Sequence, residues 1–269
     1  MHTTLPLSPR QSELIAHHAQ PIRDINHPPD ALEFPAELLE LRQQVLDIVD
    51  REGLIVLQNF TGDYDPVMVY FMSLVGQLWH DEKAGPMVMD IKPIKHEMSV
   101  ETTSYYSWNN FDYHTDLQYL DAPPDFIAII CVTPDARGEG RSTFADVRAT
   151  LSDLRPKTVA ELQQPHFIFK APPHYQGGLI ARLPILTQDA QGQWQIRVRF
   201  DRATVETPEA EQALQDLSAA LDKHRIEFLV NKNEVYLIDN RRIVHGRTPF
   251  SPTFSESDRH LKRILGMRK

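Results

Sequence analysis

The residues of this chain best suited to chemistry fall in two short stretches. In the first, Asp112-Tyr-His114-Thr-Asp116, an imidazole and a carboxylate stand two positions apart. On an extended chain such residues share a face. Their Cβ atoms are then about 6.5–7 Å apart at a rise of ~3.3 Å per residue, close enough to converge on one ion. The second stretch, Val235-Tyr-Leu-Ile-Asp-Asn-Arg-Arg-Ile-Val-His245-Gly-Arg247, offers a third ligand behind an apolar run. Two His and one carboxylate, with the other metal positions open, is the arrangement of non-haem Fe(II) oxygenases. A His-x-Asp triplet is common by itself, so the weight rests on context. Fourteen residues beyond His245 stands Arg259, within Ser257-Asp-Arg-His-Leu-Lys-Arg263.

The elements that must carry these residues can be read from periodicity. Apolar positions Leu38, Leu39, Leu41, Val45, Leu46 and Val49 recur at helical spacing over 36–51, and Gly53 ends that run. A second helix is expected over about 66–80, and a third from Pro208 to about His224, capped by Thr207. Shorter helices fit 147–154 and 156–162. Phe126-Ile-Ala-Ile-Ile-Cys-Val132 reads as a strand buried on both faces. Residues 225–230 and 234–239 read as strands of a hairpin turning at Asn231-Lys-Asn233. With further short strand-like runs over 142–146 and 166–200, the expected fold is mainly β with flanking helices. It is an antiparallel jelly roll, or double-stranded β-helix. The Pro- and His-rich residues 1–35 are expected to form an irregular arm, and 36–269 a single jelly-roll domain with N-terminal helices.

Composition narrows the partners. The 269 residues are 41% hydrophobic and 24% charged, as in an ordinary globular protein. A formal charge of -9 argues against a general nucleic-acid-binding role. No run reaches the ~18 apolar residues of a membrane span, and the first twenty residues lack the apolar core of a secretory leader. The lone Cys131 fits a reducing compartment, so a cytoplasmic protein is expected.

Four motifs together carry a resemblance: His114-Thr-Asp116, Gly140-Arg-Ser-Thr-Phe-Ala-Asp146, Ile238-Asp-Asn-Arg-Arg-Ile-Val-His245-Gly-Arg247, and Ser257-Asp-Arg-His-Leu-Lys-Arg263. On these, residues 50–269 resemble the clavaminate synthase-like branch of the Fe(II)/2-oxoglutarate dioxygenases, in the TauD/TfdA superfamily. The resemblance implies that His114, Asp116 and His245 bind Fe(II) and that 2-oxoglutarate and O2 are cosubstrates. Arg259 would hold the distal carboxylate of 2-oxoglutarate, with a hydrogen bond from Thr143. Arg263 would reach a substrate carboxylate, and Asp201 the substrate's polar end. The implied reaction hydroxylates an unactivated C–H bond of a free amino acid or amino-acid-derived metabolite. Desaturation or cyclisation would begin with the same hydrogen abstraction. Two departures stand out: Asp116 where many relatives have Glu, and His260 where an aromatic is usual. A non-catalytic jelly-roll binding protein and a zinc hydrolase are the competing readings. The complete ligand set with Arg259 opposes the first, and the lack of a placed general base opposes the second.

Overall fold

The computed structural model describes residues 2–29, 31–95, 106–172, 175 and 178–269. Two antiparallel sheets face each other. The larger has seven strands, ordered Thr3–Pro6, Leu54–Gln58, Val235–Asp239, Phe126–Thr133, His260–Met267 and Gln77–Trp79, with Met89–Ile91 also pairing to His260–Met267. Its first pair alone is parallel. The smaller has four: Ile226–Phe228, Ser142–Asp146, Ile243–Arg247 and Phe111–His114. This is the jelly roll expected from the strand-rich pattern.

Alternation along the central strands explains why the large sheet sits inside. Ile127, Ile129, Cys131, Tyr236 and Ile238 pack towards the small sheet. Their neighbours Ala128, Ile130, Val235 and Leu237 pack with Ile15, Leu38, Val45 and Phe71 of the helices Pro9–Ala19, Ala36–Glu52 and Tyr64–Val75. Successive side chains point to opposite faces, so an unbroken apolar run covers two cores at once. Cys131 is 0% exposed and burial pushes its thiol up to about 12. The folded protein should therefore resist a thiol reagent and react only on unfolding. One equivalent labelled rapidly in native buffer would contradict this packing.

Three expectations need correction. Residues 1–35 are not irregular throughout: Thr3–Pro6 pairs with Leu54–Gln58, and Pro9–Ala19 is a helix. A capping box starts that helix. Gln11 N donates to Ser8 Oγ at 3.2 Å while Ser8 N donates to Gln11 Oε1 at 2.9 Å. The second helix stops at Val75 rather than near His80, because Gly76 lies against the Met267 carbonyl, 2.6 Å from where a Cβ would stand. Gln77–Trp79 pairs instead with Leu265–Met267. The expected hairpin is a sheet crossing: Ile226–Phe228 pairs with Ser142–Phe144, and Val235–Asp239 lies in the large sheet. Among the described residues, no helix is long and apolar enough to cross a membrane.

Candidate metal centre

His114 ends one strand of the small sheet and stands directly opposite His245 on the next. The pairing slips between His245 and Arg247, which face His114 and Phe111. Four residues on the Phe111–His114 strand thus span three on the other, a bulge that lets Phe111 and His114 both line the same cavity. Gly246 permits the close approach: a Cβ there would collide with the Phe111 carbonyl and come within 2.9 Å of Thr143 Oγ1. His114 Nδ1 lies 3.0 Å from the Asp112 carbonyl oxygen. Only an N–H can satisfy a carbonyl, so Nδ1 carries the proton and Nε2 presents its lone pair.

That Nε2 lies 3.4 Å from Asp116 Oδ1, and His245 Nε2 is 3.7 Å from the same oxygen. One ligand atom from each of the three residues falls within 4.8 Å of the others, and all three residues are buried. His114 Nε2 and Asp116 Oδ1 are buried without a hydrogen-bond partner. Buried polar atoms left open in this way point to a missing cation. Burial, with His114 as a like-charged neighbour, pushes the His245 pKa down to about 3, so its imidazole is neutral and able to ligate near pH 7. Burial alone would raise the Asp116 carboxyl, but the Arg263 guanidinium and the two imidazoles outweigh it and hold the group well below the usual carboxylate range.

Asp116 lies just past its strand, in a loop gripped by one side chain. Asp116 N donates to Asn240 Oδ1 at 2.8 Å, and Asn240 Nδ2 donates to the carbonyls of Asp116 at 3.1 Å and Pro124 at 2.8 Å. Next in the loop, Leu117 has φ 55°, a left-handed conformation costing roughly 1–2 kcal/mol for a residue with a Cβ. Asn240 holds this strained turn closed. Asn240→Ala would strand three buried backbone groups, each worth about 1–3 kcal/mol. It should destabilise the fold and weaken Co(II) or Fe(II) binding by about 10–100-fold, as loss of outer-shell support does elsewhere. Metal titration checks this; an unchanged affinity would show that Asp116 holds its place unaided.

The large sheet supplies the cations. Arg259, Leu261 and Arg263 alternate along one face and line the cavity with Ile129 and Tyr236. Lys262 points the other way, its Nζ 2.7 Å from Asp65. Arg263 Nη1 donates to Asp116 Oδ2 at 2.6 Å, leaving Oδ1 as the single open ligand atom. Arg259 is 6% exposed and makes no hydrogen bond or ion pair among the described residues. Burial lowers its pKa and that of Arg247, the latter to about 9.

Two expected residues are not among those that line the cavity. Thr143 pairs opposite Gly246 and joins Asn110, Asp112 and Tyr113 in a cleft behind the small sheet. Its neighbour Ser142, opposite Arg247, faces the cavity instead, since one residue along a strand reverses the face. Asp201 lies outside the cavity lining in the exposed turn Phe200–Arg202. Its carboxylate is taken by Arg199 Nε at 2.9 Å and Nη2 at 3.2 Å. Of the histidines expected to be structural, His260 pairs with Asp90 at 2.6 Å, while His96 and His174 lie outside the described residues. Sequence reasoning missed Ser142, Arg247 and Asn240. The signal for Arg247 was present, since it follows His245 by two along a strand. For Asn240 there was none, because its partners lie more than a hundred positions away.

A jelly roll with a buried 2-His-1-carboxylate triad between its sheets defines a class, the non-haem iron oxygenase fold. The chain belongs to the TauD/TfdA family of Fe(II)/2-oxoglutarate-dependent dioxygenases: the profile described as "Taurine catabolism dioxygenase TauD, TfdA family" matches residues 24–265. It is 31% identical to an L-asparagine oxygenase of Streptomyces coelicolor over 188 residues, which are 68% of this chain and 55% of that protein. It is 28% identical to clavaminate synthase 2 of Streptomyces clavuligerus over 195 residues, 69% of this chain and 58% of that one. The match thus spans only a little over half the length of these relatives. The fold of an asparagine oxygenase crystallised with Fe(II), (2S,3S)-3-hydroxyasparagine and succinate superposes with a TM-score of 0.86 at 23% identity, covering 99% of this chain and 94% of that one.

Proposed function

We propose that this chain is an Fe(II)/2-oxoglutarate-dependent oxygenase that hydroxylates an unactivated C–H bond of a free amino acid or amino-acid-derived metabolite, releasing succinate and CO2. The observation that carries this reading is a pair of complementary needs in one cavity. Three buried ligand atoms require a cation, and beside them Arg259 is a buried cation with no carboxylate partner among the described residues. A divalent iron answers the first and a dianionic 2-oxo acid the second. When bound, iron, 2-oxoglutarate and O2 supply the oxidising power.

The chain's own residues do the positioning. His114 is held in the ligating tautomer by Asp112, and Asp116 is held to one-oxygen ligation by Arg263. Arg259 offers a fork that matches a carboxylate with two parallel hydrogen bonds. Arg263 is the partner for a substrate carboxylate, which would share or replace its bond to Asp116. Asp201, oriented by Arg199, stands as the contact for the substrate's donor group. The names of the relatives support an amino-acid substrate. A single jelly-roll domain, which takes in Thr3–Pro6 and Pro9–Ala19 along with 36–269, and a cytoplasmic location belong to the same reading, the latter supported by the buried free thiol of Cys131.

The test is a screen of amino acids and their derivatives with anaerobically loaded Fe(II) protein, reading substrate-stimulated succinate and the product mass. Gain of one oxygen establishes hydroxylation, and loss of two hydrogens would transfer the reading to desaturation or cyclisation. Absence of any metal-dependent turnover of 2-oxoglutarate would leave a binding protein.

A further inference from the structure

The cavity holds a second guanidinium that no carboxylate among the described residues pairs with. Arg247 is 4% exposed. Its Nη2 donates to the Asn109 carbonyl at 2.7 Å, and its Nε is buried with no hydrogen-bond partner. The guanidinium lies over the Phe250 ring, 4.9 Å from its centroid. Phe250 and the stem of Arg259 meet at the same glycine: a Cβ on Gly140 would stand 3.3 Å from Phe250 Cδ1 and 2.9 Å from Arg259 Cδ. Arg247 and Arg259 are therefore gathered about one turn, and both line the cavity with Ser142 and Tyr236. Opposite Ser142 and two residues beyond His245, Arg247 lies on the ligand-bearing face of its strand. Among the described residues neither arginine has a carboxylate within ion-pair distance. Two buried like charges repel each other and are both stripped of water, a cost offset when an anion binds between them.

We propose that Arg247 is a second guanidinium for the distal carboxylate of the 2-oxo acid, meeting it from the small sheet while Arg259 meets it from the large one. This rests on the 2-oxoglutarate reading above. A carboxylate offers about four acceptor positions, so it accommodates two donors without competition. The site should in consequence favour a dicarboxylic 2-oxo acid strongly over a monocarboxylic one.

The test measures binding of 2-oxoglutarate, and of 2-oxobutanoate, which lacks the distal carboxylate, to Co(II)-loaded wild type and Arg247→Gln. Failure of the wild type to bind 2-oxoglutarate would overturn the cosubstrate reading itself. Given wild-type binding, Arg247→Gln should weaken 2-oxoglutarate by about 10–100-fold while leaving 2-oxobutanoate and Co(II) within about twofold. If Arg247 only braced the segment at Asn109, both oxo acids would weaken alike. That result, or an unchanged affinity for 2-oxoglutarate, overturns the proposal. Should circular dichroism show Arg247→Gln unfolded, Arg247→Lys is measured with the same two ligands. It keeps the charge and loses the fork, and a loss of about 3–10-fold confined to 2-oxoglutarate is expected.

Discussion

Replacing His245 by Ala is expected to abolish substrate-dependent succinate formation and to weaken Fe(II) binding by more than about 100-fold, beyond what loss of outer-shell support costs. The ring supplies one of only three protein ligands, and no other His, Cys or acidic side chain among the described residues joins the triad. Asp116 and His114 would remain, too few to hold a divalent ion against water. The fold should survive, because the strand carrying His245 keeps its pairing to Ser142–Asp146, and the lost side chain is a polar group rather than part of the apolar core. Circular dichroism establishes the fold, and anaerobic Fe(II) titration with a succinate assay reads the effect. Wild-type stoichiometry and yield in His245→Ala would sink the assignment of the metal centre.

The parts of this site that were legible in the sequence are those set by short-range geometry. His114 and Asp116 are two apart, and Arg259 and Arg263 four apart on one strand, so their convergence follows from chain geometry. The buried strand Phe126–Thr133 announced itself because seven consecutive apolar residues have no other soluble home. What was not legible was decided by pairing, between strands or between side chains. Ser142 and Thr143 are alike in polarity and both buried, so nothing local says which faces the metal; the register against Gly246 and Arg247 decides it. Asn231-Lys-Asn233 is good turn chemistry whether the chain doubles back or crosses between sheets, and the partners of Ile226–Phe228 and Val235–Asp239 lie elsewhere in the chain. Asp201 looked available until Arg199, two residues earlier, was seen to hold it with two donors. Its carboxylate is oriented by that ion pair.

Arg259→Ala is expected to weaken 2-oxoglutarate binding by about 2–4 kcal/mol, the range for removing one partner of a buried charge-assisted pair, or roughly 30- to 1,000-fold. The lower end applies if Arg247 keeps part of the hold on the distal carboxylate, and the upper end if Arg259 bears it alone. The substitution also removes a packed stem. Arg259 lies against the Gly140 turn, where φ is 61° and the residue has no Cβ, so some local loosening is expected without loss of the sheet. Because Arg259 touches none of the three ligand residues, Co(II) affinity should stay near the wild-type value. This separates cosubstrate anchoring from damage to the metal centre. A 2-oxoglutarate affinity unchanged in Arg259→Ala would move the anchor to Arg263 or Arg247. Arg263→Ala distinguishes these, since it removes the 2.6 Å bond to Asp116 Oδ2 and should disturb metal binding, which loss of Arg247 should not. Simultaneous loss of metal and cosubstrate affinity in Arg259→Ala would mean that Arg259 supports the triad as a whole rather than the oxo acid.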